Sequence, residues 1–187
     1  MLGFASRRKY INNGSTTESI CPGCGLVTPK RDGAAGHKYI NASPECWSVY
    51  TEVLEAEYSN AVLFGQVHQL TVDTYAVQHA GGKHPDKSVD VHLAGLYLVL
   101  ERGLPQSAIT EYRQRLANNV KSWPHFVPPQ PVTSFTVFDV ALADSHTSAV
   151  QEWSRIVWKA WSPHLRAIAQ FAAAYLPDLK RRTGVAE

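Results

Sequence analysis

The sequence predicts a mainly α protein, a helical bundle under an irregular N-terminal zinc-knuckle layer, with room for one short strand. Three observations carry that expectation. Apolar residues recur at helical spacing in several stretches after residue 43. Residues 21–42 are rich in glycine and turn formers, contain a C-x-x-C, and show little apolar periodicity. Hydrophobic residues make up 44% of the 187-residue chain against 18% charged, enough to fill one real core. One domain over residues 21–180, with its knuckle at 21–46 and a polar tail at 1–20, fits that length.

Each element follows from local signals. Residues 12–17, Asn-Asn-Gly-Ser-Thr-Thr, read as loop. Ser43-Pro44 is a helix start, with serine at the cap and proline at the first helical position. Trp47, Tyr50, Val53, Leu54 and Tyr58 then follow at helical spacing. Ser59-Asn60 breaks this helix from a second over about 62–79, which stops at Ala80-Gly81-Gly82. A third helix is expected over about 88–102, ended by Gly103 and Pro105, and a fourth over about 106–120. Residues 124–131 are proline-rich and extended, and 134–142 alternates weakly enough to suggest a lone strand or strap. A last helical stretch covers about 147–176, interrupted at Ser162-Pro163.

Charge and hydropathy exclude some function classes. The formal net charge of +2 lacks the basic excess of a nucleic-acid binder. The short runs Arg7-Arg8-Lys9 and Lys180-Arg181-Arg182 read as solvated termini. No apolar run approaches the roughly 20 residues needed to cross a bilayer, so the expectation is a soluble, cytoplasmic chain. Three cysteines, an odd number with two in C-x-x-C, fit metal-bound or reduced thiols better than a disulfide framework.

The chemistry concentrates at Cys21-Pro22-Gly23-Cys24-Gly25. Two thiolates at this spacing supply half of a tetrahedral zinc shell, and the glycines let backbone N–H groups turn toward sulfur. A redox C-x-x-C normally opens a helix, whereas the residues that follow here are turn-rich. Cys46 is the third ligand candidate. His37 is the fourth, giving C-x2-C-x12-H-x8-C, and His79 and His92 are alternatives.

Helix geometry sorts the remaining histidines. His68 and His79 share a face but are separated by eleven residues, roughly 16 Å along the axis, so one ion cannot take both. If the first three helices run antiparallel, Cys46, His79 and His92 meet at one end of the bundle, beneath the knuckle. His79 and His92 are then the catalytic candidates, and His68, Tyr75 and His164 the pocket candidates. Asp73, Glu52, Glu55 and Glu57 read as surface carboxylates, and His84 as a solvated loop residue. Trp153, Trp158 and Trp161 read as core. No phosphate loop, nucleophile elbow or H-E-x-x-H pair is present.

The chain resembles a family of uncharacterised bacterial proteins, a domain of unknown function. The resemblance rests on the Cys21–Gly25 knuckle, on Ser43-Pro44-Glu45-Cys46-Trp47, and on the stretch VHQLTVDTYAVQHAGG at 67–82. It continues through Val91-His92-Leu93 to Gly103, with Ala80 standing where the family pattern has proline. It implies no reaction, only that these Cys and His positions form one module. The resulting expectation is a zinc-stabilised module that binds a small molecule or protein. A small metal-dependent enzyme using His79 and His92, and a thiol redox protein using Cys21 and Cys24, are the alternatives.

Overall fold

The computed structural model describes residues 17–175. The loop expected at 12–17 lies almost wholly outside them, as do both terminal basic runs. A short antiparallel hairpin, β1 (Glu18–Ile20) and β2 (Val27–Pro29), opens the described chain, with Ile20 opposite Val27. Seven α-helices follow among the described residues: α1 (Pro44–Tyr58), α2 (Ala61–Gln78), α3 (Asp86–Leu100), α4 (Gln106–Asn119), α5 (Val137–Leu142), α6 (His146–Ala160) and α7 (Leu165–Ala174). A 3-10 turn, Ser162–His164, separates α6 from α7 at the expected interruption.

The helix boundaries have identifiable chemical causes. Ser43 caps α1 by accepting from the Cys46 N–H at 3.1 Å, ahead of Pro44 in the first turn. Asn60 caps α2, its Oδ1 accepting from the N–H groups of Val62 and Leu63. Gly81 and Gly82, both at positive φ, turn the chain after α2.

Helix α2 is the centre of the bundle. From Asp73 to Ala80 every residue is buried, because α1, α3 and α6 all pack around it. Helix α4 flanks α3, α7 covers α3, and α5 packs on α1. Trp153, Leu93, Leu96, Ile109, Leu116 and Ile168 fill the core. None of the helices among the described residues is long and apolar enough to cross a membrane.

Two segments depart from expectation. The strand expected in 134–142 is helix α5, and the strands lie at the knuckle instead. Thr136 and Asp139 form a capping box, the Asp139 Oδ2 accepting from the Thr136 N–H at 2.7 Å. That local start outweighs the weak alternation, and Val137 and Val140 face inward at helical spacing. The second departure is electrostatic. Glu57 and Asp73, expected on the surface, are both fully buried. A helical pattern gives a residue's direction from its own axis but not what covers that face; here α6 covers Glu57, and α3 and α4 cover Asp73.

The proline-rich segment is a strap held at both ends. His164 Nε2 donates to the Val127 carbonyl at 2.9 Å. The Gln78 amide donates to the carbonyls of Val132 and Phe135, both at 2.9 Å, while its oxygen accepts from Trp153 Nε1. A buried glutamine on the central helix thus ties the strap to the core with no part of its amide left over.

Candidate metal centre

The turn between β1 and β2 carries Cys21 and Cys24. It is closed by the Cys21 N–H donating to Leu26 O at 2.9 Å and the Gly25 N–H donating to Cys21 O at 2.8 Å. Gly25 takes a positive φ of 72° at the point where the chain reverses. The hairpin is tied down by Glu45 in the first turn of α1, which accepts from Ser19 Oγ at 2.6 Å and from the Arg31 N–H at 3.1 Å. Burial pushes the Glu45 carboxyl up, but these hydrogen bonds outweigh it and hold it below its usual range. Cys46, the next residue, therefore faces the knuckle from the start of α1.

His79 ends α2 and completes a set of four. The Sγ atoms of Cys21, Cys24 and Cys46 and one ring nitrogen of His79 lie within 4.8 Å of one another, all four residues buried. This group could hold a metal ion. Cys24 Sγ is 3.8 Å from Cys46 Sγ, and Cys46 Sγ is 3.4 Å from His79 Nε2. A tetrahedral ion with metal–sulfur bonds of about 2.3 Å and metal–nitrogen bonds of about 2.0–2.1 Å has edges of about 3.8 and 3.6 Å. The two contacts of Cys46 are close to those edges, whereas a disulfide requires sulfurs about 2 Å apart.

The histidine is prepared for such a role. Its Nδ1 lies 2.8 Å from the Tyr75 carbonyl, which can only accept, so Nδ1 carries the proton and Nε2 presents its lone pair to the sulfurs. Tyr75 also donates its hydroxyl to Cys46 Sγ at 3.5 Å and stacks on Tyr50 at 3.8 Å. Burial pushes the Tyr75 hydroxyl well above its usual range, so it stays a donor. Three thiols this close share their protons. Hydrogen bonds from Cys24 and Cys46 hold the Cys21 thiol far below its usual range. The same contact with Cys21 pushes Cys24 up to about 12 and Cys46 higher still. A dication at the centre would let all three ionise together.

Gly23 explains how the knuckle reaches the helix. A Cβ at this position would lie 2.5 Å from Asn41 O and 2.6 Å from His79 Cδ2. Only glycine lets the turn lie directly on the histidine ring.

A family of unknown function, DUF5946, matches residues 19–162. The chain belongs to that family. The matched span begins in β1, ends in the 3-10 turn and takes in all four members of the DUF5946 chain's cluster. No curated protein and no solved structure matches the chain.

Elsewhere in this DUF5946 chain the other candidates stand apart from the cluster. His37, the expected fourth ligand, accepts the Ile40 N–H on Nδ1 at 3.2 Å and packs on Trp47. It is not among the four grouped residues, whose imidazole comes from the end of α2. His92 does not reach the bundle end. It lies beside Asp73, Nδ1 to Oδ1 2.8 Å, and Arg113 pairs with the other oxygen of that carboxylate. His68 binds Glu57 at 2.8 Å and stacks on Phe64. His146 approaches the other Glu57 oxygen at 2.9 Å, and Thr71 donates to it at 2.6 Å. His84, read as solvated, is buried, its ring nitrogens meeting His79 O and Ser88 Oγ. Burial lowers its imidazole to about 4. The buried carboxylates Glu57 and Asp73 escaped the sequence reading; their one signal was a cluster of histidines with no local acid partner.

Proposed function

We propose that the Cys21, Cys24, Cys46 and His79 group holds one zinc ion as a structural staple, and that the chain is a metal-stabilised binding module. One observation carries this reading: four protein donors, each buried, lie within 4.8 Å of one another, with the Cys24–Cys46 and Cys46–His79 pairs near tetrahedral edge lengths. Four protein ligands are the pattern of structural zinc, whereas catalytic zinc keeps a position open to water. The donor set, rich in soft thiolates with one imidazole, favours zinc over magnesium or calcium.

The staple has a mechanical purpose. It joins three segments distant in sequence: the hairpin turn, the start of α1 and the end of α2. The layer of residues 21–42 buries few large apolar side chains of its own, so the ion replaces a core there. The separation of His92 from His79 counts against an enzyme built on that pair. The position of Cys21 and Cys24 in a hairpin turn, with a third thiol and an imidazole beside them, counts against a dithiol redox role.

Metal content by plasma mass spectrometry tests the proposal, using wild type, Cys46→Ser, His79→Ala and His37→Ala prepared without chelator or tag metal. The expected result is one zinc per chain in wild type and in His37→Ala, and loss in the other two. Zinc absent from wild type refutes the staple. Zinc retained without the His79 imidazole reopens the enzyme reading.

A further inference from the structure

Toward the start of α2, at the opposite end of that helix from His79, a groove of about 520 Å³ opens between α2, α6, the end of α3 and the start of α4. Its volume lies within the roughly 300–1,000 Å³ of small-ligand sites. Gln66, on its wall, is thirteen residues before His79, roughly 20 Å along the helix. The groove and the cysteine cluster share no residue.

The lining is of two kinds. Leu70, Val99, Leu100 and Leu104 give it apolar surface continuous with the core. The polar lining is Gln66, Gln106, Gln151, Ser154 and Arg155, and part of it is already engaged. Gln106 Nε2 donates to the Gln66 carbonyl at 2.8 Å, and Thr147 donates to Gln66 Oε1 at 3.2 Å. Ser154 Oγ donates to the Gln151 carbonyl at 2.8 Å. Left without a protein partner among the described residues are the Gln66 amide N–H groups, the Gln106 amide oxygen, the Gln151 side-chain amide and the Arg155 guanidinium. Donors outnumber acceptors in that remainder.

The charge of the groove has one sign. Arg155 is the one ionisable side chain in the lining. Among the described residues no carboxylate lies within ion-pair distance of it, whereas Arg113 and Arg115 pair with Asp73 and Glu111. Glu101, beside the groove after Leu100, is engaged by Trp158 Nε1 at 2.7 Å. Helix α4 starts on Pro105, another lining residue, with no side-chain cap, so the positive end of that helix adds to the same sign. A cation would be repelled here, and a phosphate dianion would keep half its charge uncompensated. A monocarboxylate matches the single guanidinium and takes its fork with both oxygens. The apolar lining is then covered by hydrocarbon.

We infer that this groove binds an aliphatic monocarboxylate, with the carboxylate on Arg155 and the hydrocarbon chain against Leu70, Leu100 and Leu104. The inference names a ligand for the binding module and rests on that half of the reading above, not on the ion.

The test is calorimetric titration of the full chain with octanoate, butanoate and octylammonium at millimolar concentration, on wild type, Arg155→Gln and Gly65→Phe. Gly65 lines the groove, and a Cβ there meets nothing within 4 Å, so a side chain at this position grows into open space. Circular dichroism checks that both variants keep the helical fold. Octanoate is expected to bind wild type more tightly than butanoate, by up to about fourfold per added methylene. Arg155→Gln weakens octanoate by about tenfold or more, the loss of a charge-assisted pair, and Gly65→Phe blocks it. Octylammonium is expected not to bind. Octanoate failing to bind wild type, or binding both folded variants as it binds wild type, overturns the inference. Equal binding of octylammonium overturns the anionic class, and equal binding of butanoate overturns the aliphatic one. Zinc measured on the same samples separates the readings: zinc absent with octanoate bound overturns the staple alone, and zinc present without octanoate binding overturns this inference alone.

Discussion

Two glycines inside helices should answer the same substitution with opposite signs. Gly65 in α2 is exposed, and a Cβ there meets nothing within 4 Å. Gly65→Ala therefore gains only helix propensity and should stabilise the protein by about 0.5–1 kcal/mol. Gly95 in α3 lies under the buried Asp73–Arg113 pair. A Cβ there would sit 2.5 Å from Arg113 Nη2 and 2.6 Å from Asp73 Oδ2. The carboxylate cannot step aside, because His92 and Gln69 hold its other oxygen at 2.8 and 3.1 Å. Overpacking costs about 1–3 kcal/mol, and breaking a buried ion pair about 3–5 kcal/mol. Against a propensity gain of about 1 kcal/mol, the net expectation for Gly95→Ala is a loss of about 2–4 kcal/mol. Equilibrium urea unfolding reads both as midpoint shifts at constant m. A Gly95→Ala variant as stable as wild type would show that the pair does not constrain α3 against α2 and α4, and the account of this network would fail.

Two further outcomes follow from buried groups. Both carboxylate oxygens of Asp90 are buried without a hydrogen-bond partner, and burial pushes its pKa up to about 8 from the usual 3.8. The folded state thus keeps a proton that the unfolded chain has lost. Its stabilising contribution is complete below the unfolded pKa and is lost as pH rises to about 8, at up to about 1.4 kcal/mol per pH unit. Asp90→Asn should exceed wild type in stability at pH 8, with the two curves converging toward pH 4; parallel urea midpoints across that range would contradict this. At the knuckle, Gly23→Ala drives a methyl into backbone atoms of both Asn41 and His79. On the proposed zinc staple, it should lower zinc affinity at least tenfold in chelator competition. Gly36→Ala, whose Cβ meets only Pro44 Cγ at 3.7 Å, should not; equal affinities in all three proteins would remove Gly23 from the account of the site.

The local devices were legible in the sequence because each acts over a few residues. Ser43-Pro44, Asn60 and Gly81-Gly82 mark helix ends through caps and positive-φ turns. The C-x-x-C with its glycines marks a thiolate turn, and Cys46 follows as the one remaining cysteine of the three. The short Ser59-Asn60 break also allowed α1 and α2 to be taken as antiparallel, which brings Cys46 to the end of α2.

What only the tertiary structure decided was which groups meet. The choice of His79 over His37 depends on a contact across 33 residues, where Gly23 lets the turn lie on the imidazole. The register of α3 against α2 decided that His92 meets Asp73. Glu57 is buried because His146, 89 residues later, reaches one of its oxygens, and the strap is placed by Gln78 across more than fifty. A residue pattern specifies a side chain's direction from its own helix axis. Whether that direction ends in water, a carboxylate or three thiols is set by the packing of other helices, and no local period carries that information.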